Sequence, residues 1–294
     1  MTDSGNSVSR SEGRGALRRS VTAAFMKLPP PARKSVLHAF GKFAPWEEGF
    51  DPTPPRVHLG EITAAPDFVG IGTQKAGTTW WYEAISSHPR VYSRLDIHKE
   101  RHYFDRYAIT PFGAEESEGY RGWFPRPPGT LSGEWTPDYL TMPWVPPLVA
   151  LAAPKTKLLV LLRDPVDRIS SGLAHVRRDR GRVTLADHKD AIARGFYYES
   201  LSWWLRHFHF EQILVLQFER CLQDPVGQMS RTYEFLGLDP FVPKTLAEKI
   251  NPSSNVPKME EDTRRRLIQL YLPDVQALCK SFPEIDLCLW PNFR

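Results

Sequence analysis

The chain has 294 residues, of which 41% are hydrophobic, 24% charged and 12% aromatic: a soluble globular profile with room for one large or two modest domains. Collagen-like, coiled-coil and strongly charged disordered classes are excluded. The formal net charge is +4, and residues 1–50 hold eight Lys and Arg against four Asp and Glu, so the rest of the chain balances. A nucleic-acid-binding core, which needs unpaired cations for phosphates, is excluded too.

In chain order, residues 1–15 read as a disordered tail, and residues 16–44 as a basic amphipathic helix broken at Pro29-Pro30-Pro31. Residues 45–55 form a Pro-rich linker. Residues 1–60 together are expected to be a flexible basic arm ahead of a domain at 61–294. The plain reading of the arm is a solvated tail, with peripheral contact to a membrane surface as the alternative. No window reaches the roughly 18 apolar residues that span a bilayer. Residues 21–26 are too few and too polar for a signal-peptide core, so the cytoplasm is the expected compartment. Cys221, Cys279 and Cys288 lack metal-ligand spacing and read as reduced packing residues.

The apolar run Phe68-Val69-Gly70-Ile71-Gly72 predicts a buried strand, and Trp81, Ala84 and Ile85 at helical spacing predict a helix over 78–87. A second run, Lys157-Leu158-Leu159-Val160-Leu161-Leu162, stops at Arg163-Asp164-Pro165, with a helix from 166 to 178. A third run at 212–216 follows an amphipathic stretch at 198–208. Residues 225–236 predict a helix ended by Gly237. Near-continuous apolar strands alternating with helices indicate an α/β fold, a P-loop-like central parallel β-sheet flanked by helices.

Three segments carry chemistry. Gly72-Thr73-Gln74-Lys75-Ala76-Gly77-Thr78-Thr79 is a glycine turn opening a helix, which offers backbone N–H groups and a positive dipole to an anion. Gly72 and Gly77 have the NTPase spacing, but Thr78 stands where the NTPase lysine would follow, and the loop's lysine is Lys75. The phosphate cradle remains while the case for ATP·Mg weakens. Second, Arg163 at a strand end and Ser171 two helical turns later can converge on one phosphate. Taken alone, Arg163 would be a strand-end ion pair with Asp164 or Asp167, and Arg168 would serve a structural pair. Third, His98-Lys99-Glu100-Arg101-His102-Tyr103-Phe104-Asp105 is, in isolation, a solvated charged run. His98 and His102 are four apart as in a zinc helix, but Glu100 follows two after His98 rather than directly, and no metal is expected.

The order Lys75-Ala76-Gly77-Thr78-Thr79-Trp80 directly after a buried strand resembles the donor loop of sulfotransferases that use 3′-phosphoadenosine-5′-phosphosulfate (PAPS). Arg163-Asp164-Pro165-Val166-Asp167-Arg168-Ile169-Ser170-Ser171 is similar to the segment with which that family grips the donor's 3′-phosphate. Gly195-Phe196-Tyr197, Leu201, Trp204, Phe208, the run at 213–216, Asp224-Pro225 and Phe235-Leu236-Gly237-Leu238 extend the likeness over most of 66–294. Lys99-Glu100-Arg101-His102-Tyr103-Phe104 resembles a stretch of carbohydrate-type and bacterial members whose glutamate is the general base.

The resemblance implies PAPS on Thr73, Gln74, Lys75, Ala76, Gly77, Thr78, Thr79 and Trp80, with Arg163 and Ser171 on its 3′-phosphate. Tyr197 would line the nucleotide or the acceptor cleft, and Asn251-Pro252-Ser253-Ser254 with Lys258 would close over the donor. Lys75 would stabilise the leaving group and Glu100 would act as base, with His102 as its alternative or orienting partner. In Gly133-Glu134-Trp135-Thr136-Pro137-Asp138-Tyr139, Trp135 replaces the family's lysine, which argues against a heparan-like polymer and for an aromatic or apolar-edged acceptor. Small-molecule, glycan and lipid hydroxyls stay open. The rival readings are a kinase on a modified P-loop, with Asp164 as its metal ligand, and a non-catalytic module that keeps the PAPS fold.

Overall fold

The computed structural model describes residues 30–39, 43–94, 96–247 and 259–294. The expected tail at 1–15, the stretch 16–29 and the donor-closing loop at 251–258 lie outside the described residues. The chain divides into two units, Met1–Pro52 and Thr53–Arg294. In the first, helix α1 (Pro30–Ala39) starts on a proline. A proline suits that first turn, which has no use for an N–H donor; residues before Pro30, on the other side of the expected break, lie outside the described residues.

The second unit runs β1 (Ile62–Thr63), β2 (Phe68–Gly72), α2 (Thr78–Ser86), α3 (Ala114–Arg121), β3 (Pro125–Arg126), β4 (Gly133–Trp135), α4 (Val145–Ala152), β5 (Lys157–Leu162), α5 (Pro165–Arg180), α6 (Leu185–Ala193), α7 (Tyr197–Trp204), β6 (Ile213–Gln217), α8 (Phe218–Gln223), α9 (Pro225–Leu236) and α10 (Glu261–Ser281). Four strands form a parallel sheet in the order β4-β2-β5-β6. Strands β2 and β6 are buried at every position, as a sheet covered on both faces requires. The expected α/β architecture is present. Among the described residues, no helix is long and apolar enough to cross a membrane.

The topology locates the site. The chain leaves β2 for β4 on one side and leaves β5 for β6 on the other, so the carboxyl ends of β2 and β5 form a switch point, the place where open α/β sheets bind their ligands. Beside it, α2 docks on α9. The Trp81 indole donates to Thr232 Oγ1 (3.2 Å), and the Tyr233 hydroxyl donates to the Ala84 carbonyl (2.9 Å).

Among the elements with no counterpart in the sequence expectations, two show why they were hidden. Strand β4 is three residues long and carries a charged Glu134, so it lacks the apolar run that marks β2 and β5. Helix α10 holds Pro273 in its interior, which breaks the helical pattern. The Asp274 carboxylate beside that proline accepts the N–H groups of Tyr198 and Glu199 (both 3.0 Å) and thereby ties α10 to the start of α7. Helix α7 itself stops at Trp204, short of the amphipathic stretch expected to reach Phe208.

Candidate active site

The loop between β2 and α2 is shaped by two left-handed residues, Lys75 (φ 69°) and Gly77 (φ 83°). Gly77 is required twice over: for that φ, and because a Cβ there would come within 2.7 Å of the Phe218 ring. Thr73 N–H donates to the Leu161 carbonyl (3.0 Å), stitching the loop to β5, and Ala76 N–H donates to Thr73 O (3.3 Å). Gly77 caps α2 without a side-chain hydrogen bond, so the first-turn amides at Thr78 and Thr79 face no internal acceptor and suit an anion. Gln74 and Trp80 are half-buried, Ala76 and Thr78 are buried, and Thr79 is exposed.

Arg163 reaches this loop from the end of β5. Its Nη1 donates to the Lys75 carbonyl (3.2 Å), and its guanidinium lies over the Phe218 ring at 5.2 Å. The strand-end ion pair is thus not its role. Ser171, on α5, is buried, and a Cβ at the next residue, Gly172, would lie 4.0 Å from the Lys75 side chain. Tyr197 departs from its expected place. It is fully buried, and its hydroxyl donates to the Arg163 carbonyl (2.8 Å), so it supports the strand end rather than lining a cleft. Arg168 is also fully buried and donates to the Ala191 carbonyl instead of forming an ion pair.

The base segment has no regular structure ahead of Tyr103, and it borrows order from residues 134–139. Arg101 N–H donates to Glu134 Oε2 (3.1 Å) and Thr136 Oγ1 (2.9 Å), His102 N–H to Thr136 Oγ1 (3.4 Å), and Tyr103 N–H to the Tyr139 hydroxyl (2.8 Å). In return, Trp135 N–H donates to the Lys99 carbonyl (2.9 Å). Glu134 is fully buried and also accepts the Tyr120 hydroxyl (2.6 Å); burial raises its pKa, with the Arg101 charge opposing. Sequence reasoning placed Glu134 and Thr136 in a family-like segment without seeing this work, since the pairing depends on β4.

On that backbone, Glu100, His102 and Asp105 form a relay. His102 Nδ1 is 2.7 Å from Asp105 Oδ2, and its Nε2 is 3.5 Å from Glu100 Oε2. Burial acts to lower the His102 pKa, but the hydrogen bonds to Asp105 and Glu100 prevail and hold it at about 10. Burial acts to raise that of Glu100, and the His102 hydrogen bond with the Lys99 ammonium brings it down to about 2. Asp105 was missed at first reading; its signal was the three-residue spacing from His102, which a 3₁₀ turn at Tyr103–Tyr107 converts into contact. His98 and His102 share no helix, so the zinc-helix spacing has no structural counterpart.

Trp135 corrects a further expectation. It is fully buried, with its indole donating to the Gly72 carbonyl (3.1 Å) and pressed so closely on β2 that a Cβ at Gly70 would fall 2.0 Å from the ring. It packs beneath the donor loop and offers no face to an acceptor. Lys99 Nζ pairs with Glu100 and lies 3.5 Å from the Trp135 carbonyl. Asp164, the metal ligand a kinase would need, is fully buried and caps α5, accepting from Val166 N–H at 3.0 Å.

The pieces meet at Lys75. Burial lowers the pKa of its ammonium, Arg178 and Arg163 add repulsion, and Asp179 and Glu100 pull the other way. The donor loop, the Arg163 arm and the base segment therefore act within one electrostatic field. A glycine-turn anion cradle at the switch point of a parallel sheet, with a cationic arm and an ionised carboxylate beside it, defines a P-loop-like group-transfer fold.

Comparison with known proteins narrows the class. The sulfotransferase domain model matches residues 65–264. The chain is 32% identical over 191 residues to human heparan sulfate glucosamine 3-O-sulfotransferase 3B1, covering 59% of this chain and 46% of that protein. It is 27% identical over 203 residues to mouse bifunctional heparan sulfate N-deacetylase/N-sulfotransferase 4, covering 60% of this chain and 22% of that protein. The chain thus spans less than half the length of these relatives. Its structure is similar to the crystal structure of a sulfotransferase from Alicyclobacillus acidocaldarius, with a TM-score of 0.61 and 29% identity over 77% of this chain and 99% of that one. The chain belongs to the sulfotransferase domain family, a family of sulfuryl-transfer enzymes.

Proposed function

We propose that the chain transfers a sulfuryl group from PAPS to a hydroxyl of a carbohydrate-type acceptor, giving a sulfate ester and adenosine 3′,5′-bisphosphate. One observation carries the reading: Trp135 ties the donor loop to the base segment, its indole donating to the Gly72 carbonyl (3.1 Å) and its backbone N–H to the Lys99 carbonyl (2.9 Å). The donor set fits the group, because an uncapped helix start with a left-handed lysine before it suits a 5′-phosphate and a guanidinium at a strand end suits a second phosphate. PAPS brings the activated sulfuryl group; the remaining work falls to the protein.

The loop at residues 73–79, through N–H groups other than those of Thr73 and Ala76, would hold the phosphate end, and Arg163 with Ser171 would hold the 3′-phosphate. Glu100 accepts the acceptor's proton. His102 is held toward its protonated form by Asp105 and Glu100, which suits it to orient a base rather than to be one. Its part is to orient the Glu100 carboxylate. Lys75 neutralises charge that builds on the bridging oxygen as the sulfuryl group departs, a role that needs a desolvated cation close at hand. The carbohydrate acceptor is inferred from the likeness to the heparan sulfate sulfotransferases. The charge balance outside residues 1–50 favours a neutral or weakly charged sugar over a polyanion.

The test is a transfer assay with the full chain, PAPS and a panel of neutral glycans, reading the sulfate ester by mass spectrometry and bisphosphate release in parallel. Ester and bisphosphate in equal amounts support the reading. Absence of both across the panel, or phosphate transfer from ATP instead, overturns it.

A further inference from the structure

The arm that recognises the 3′-phosphate in the reading above is seated by residues beyond the span of the family match, which ends at residue 264. Between β5 and α5, Arg163 and Asp164 make a two-residue turn whose polar groups are held on several sides. Tyr197 fixes the Arg163 carbonyl, and the Asp164 N–H donates to Glu219 Oε1 (3.0 Å). The two carboxylates involved are then secured by one short segment. The Asn292 side-chain amide donates to Asp164 Oδ2 (2.9 Å) and to Asp167 Oδ1 (3.3 Å), and its backbone N–H donates to Asp164 Oδ2 (3.3 Å). The Trp290 indole donates to Glu219 Oε2 (2.8 Å).

Asp164 and Trp290 are fully buried and Asn292 is 8% exposed, so these bonds form away from competing water. The segment is itself anchored on the sheet edge: Gln217 exchanges two hydrogen bonds with the Asp286 backbone (2.9 and 3.1 Å), and Arg220 pairs with the Asp286 carboxylate (3.0 Å). Phe218, which underlies the Arg163 guanidinium, adjoins Glu219, so the same anchor also sets the surface on which the arm lies.

We infer that residues 286–294 form a latch that presets Arg163, and that Asn292 and Trp290 are positioning residues for recognition of the donor's 3′-phosphate. A guanidinium held in place before the ligand arrives gives up less freedom on binding, so the benefit should appear only with ligands that carry the group it grips. This inference rests on the PAPS reading.

The experiment titrates the full chain, Asn292→Ala and Trp290→Phe with adenosine 3′,5′-bisphosphate and with adenosine 5′-phosphate, and takes the ratio of the two affinities. Trp290→Phe keeps an aromatic ring at the site and removes the N–H donor along with part of the indole's volume, a packing loss that would weaken both ligands alike, so the ratio stays decidable if Asn292→Ala does not fold. The latch predicts that the ratio falls about tenfold in the variants while adenosine 5′-phosphate binds as before, the scale of one hydrogen bond to a charged group. An unchanged ratio, or parallel weakening of both ligands as general packing loss would give, overturns it. A wild-type ratio near one overturns the PAPS reading and this inference with it.

Discussion

The donor loop at residues 72–79 takes its shape mainly from backbone conformation and backbone hydrogen bonds, whereas the base segment at residues 99–105 is held mainly by side chains lent from residues 134–139. In the loop, two left-handed residues and two backbone hydrogen bonds set the path, and the Arg163 and Trp135 side chains add donors to the Lys75 and Gly72 carbonyls. In the base segment, three successive N–H groups at 101–103 find their acceptors on Glu134, Thr136 and Tyr139. A backbone-built site tolerates side-chain change but not a lost glycine. A side-chain-built site is exposed to single substitutions far from the reacting atoms. The two halves should therefore fail differently, one in donor affinity and the other in turnover.

The largest effect expected apart from loss of the base itself is at Lys75, where the halves meet. Lys75→Ala should lower kcat by roughly 10²–10³, the loss typical of one transition-state charge donor, in a steady-state transfer assay. An unchanged kcat would remove Lys75 from the reaction centre. Next, Arg163→Ala should weaken adenosine 3′,5′-bisphosphate by roughly 10–100-fold in calorimetry, the value of charge-assisted hydrogen bonds, with kcat at saturating donor largely kept. A smaller effect follows Thr136→Val, which strips acceptors from the Arg101 and His102 N–H groups. It should cost about 1–2 kcal/mol in denaturant unfolding and reduce kcat about tenfold while leaving donor affinity intact. Equal loss of both parameters would mean the halves are not separable.

The smallest prediction concerns pH. Glu100 lies near 2 in the fold against an ordinary 4.5, so its contribution to stability is present above 4.5 and is lost as pH falls toward 2. His102 lies near 10 against an ordinary 6.5, so its contribution is full below 6.5 and is lost as pH rises through 10. The relay therefore stabilises most between pH 4.5 and 6.5. In His102→Gln the difference in unfolding midpoint from wild type should be widest there and shrink toward pH 10. A constant difference would mean that the ring contributes packing alone.

What could be read in advance follows the same division. The buried strands, the glycine turn, Lys75 and Arg163 were legible because each is local: an apolar run, a spacing, a residue at a strand end. Helix α9 begins and ends at its expected residues, because Pro225 opens it and Gly237, at φ 75°, closes it. The Glu134 and Thr136 scaffold was not legible as such, since it exists only once β4 lies beside β2. The same holds for Tyr197 and Trp135, whose residue types suit a cleft wall as well as a core, so only burial decides between them. Asn292 and Asp164 stand 128 positions apart, and nothing local announces that pairing.

The central claim is that donor binding and proton removal reside in separate parts of one site, with Glu100 as the proton acceptor. Glu100→Gln keeps the side chain's shape and an oxygen for His102 while removing the basic charge. The measurement to make is its transfer rate together with its calorimetric affinity for adenosine 3′,5′-bisphosphate. The account predicts wild-type affinity with turnover reduced by at least about 10², the usual weight of a general base. Turnover retained with the neutral amide, or affinity lost along with turnover, would contradict it.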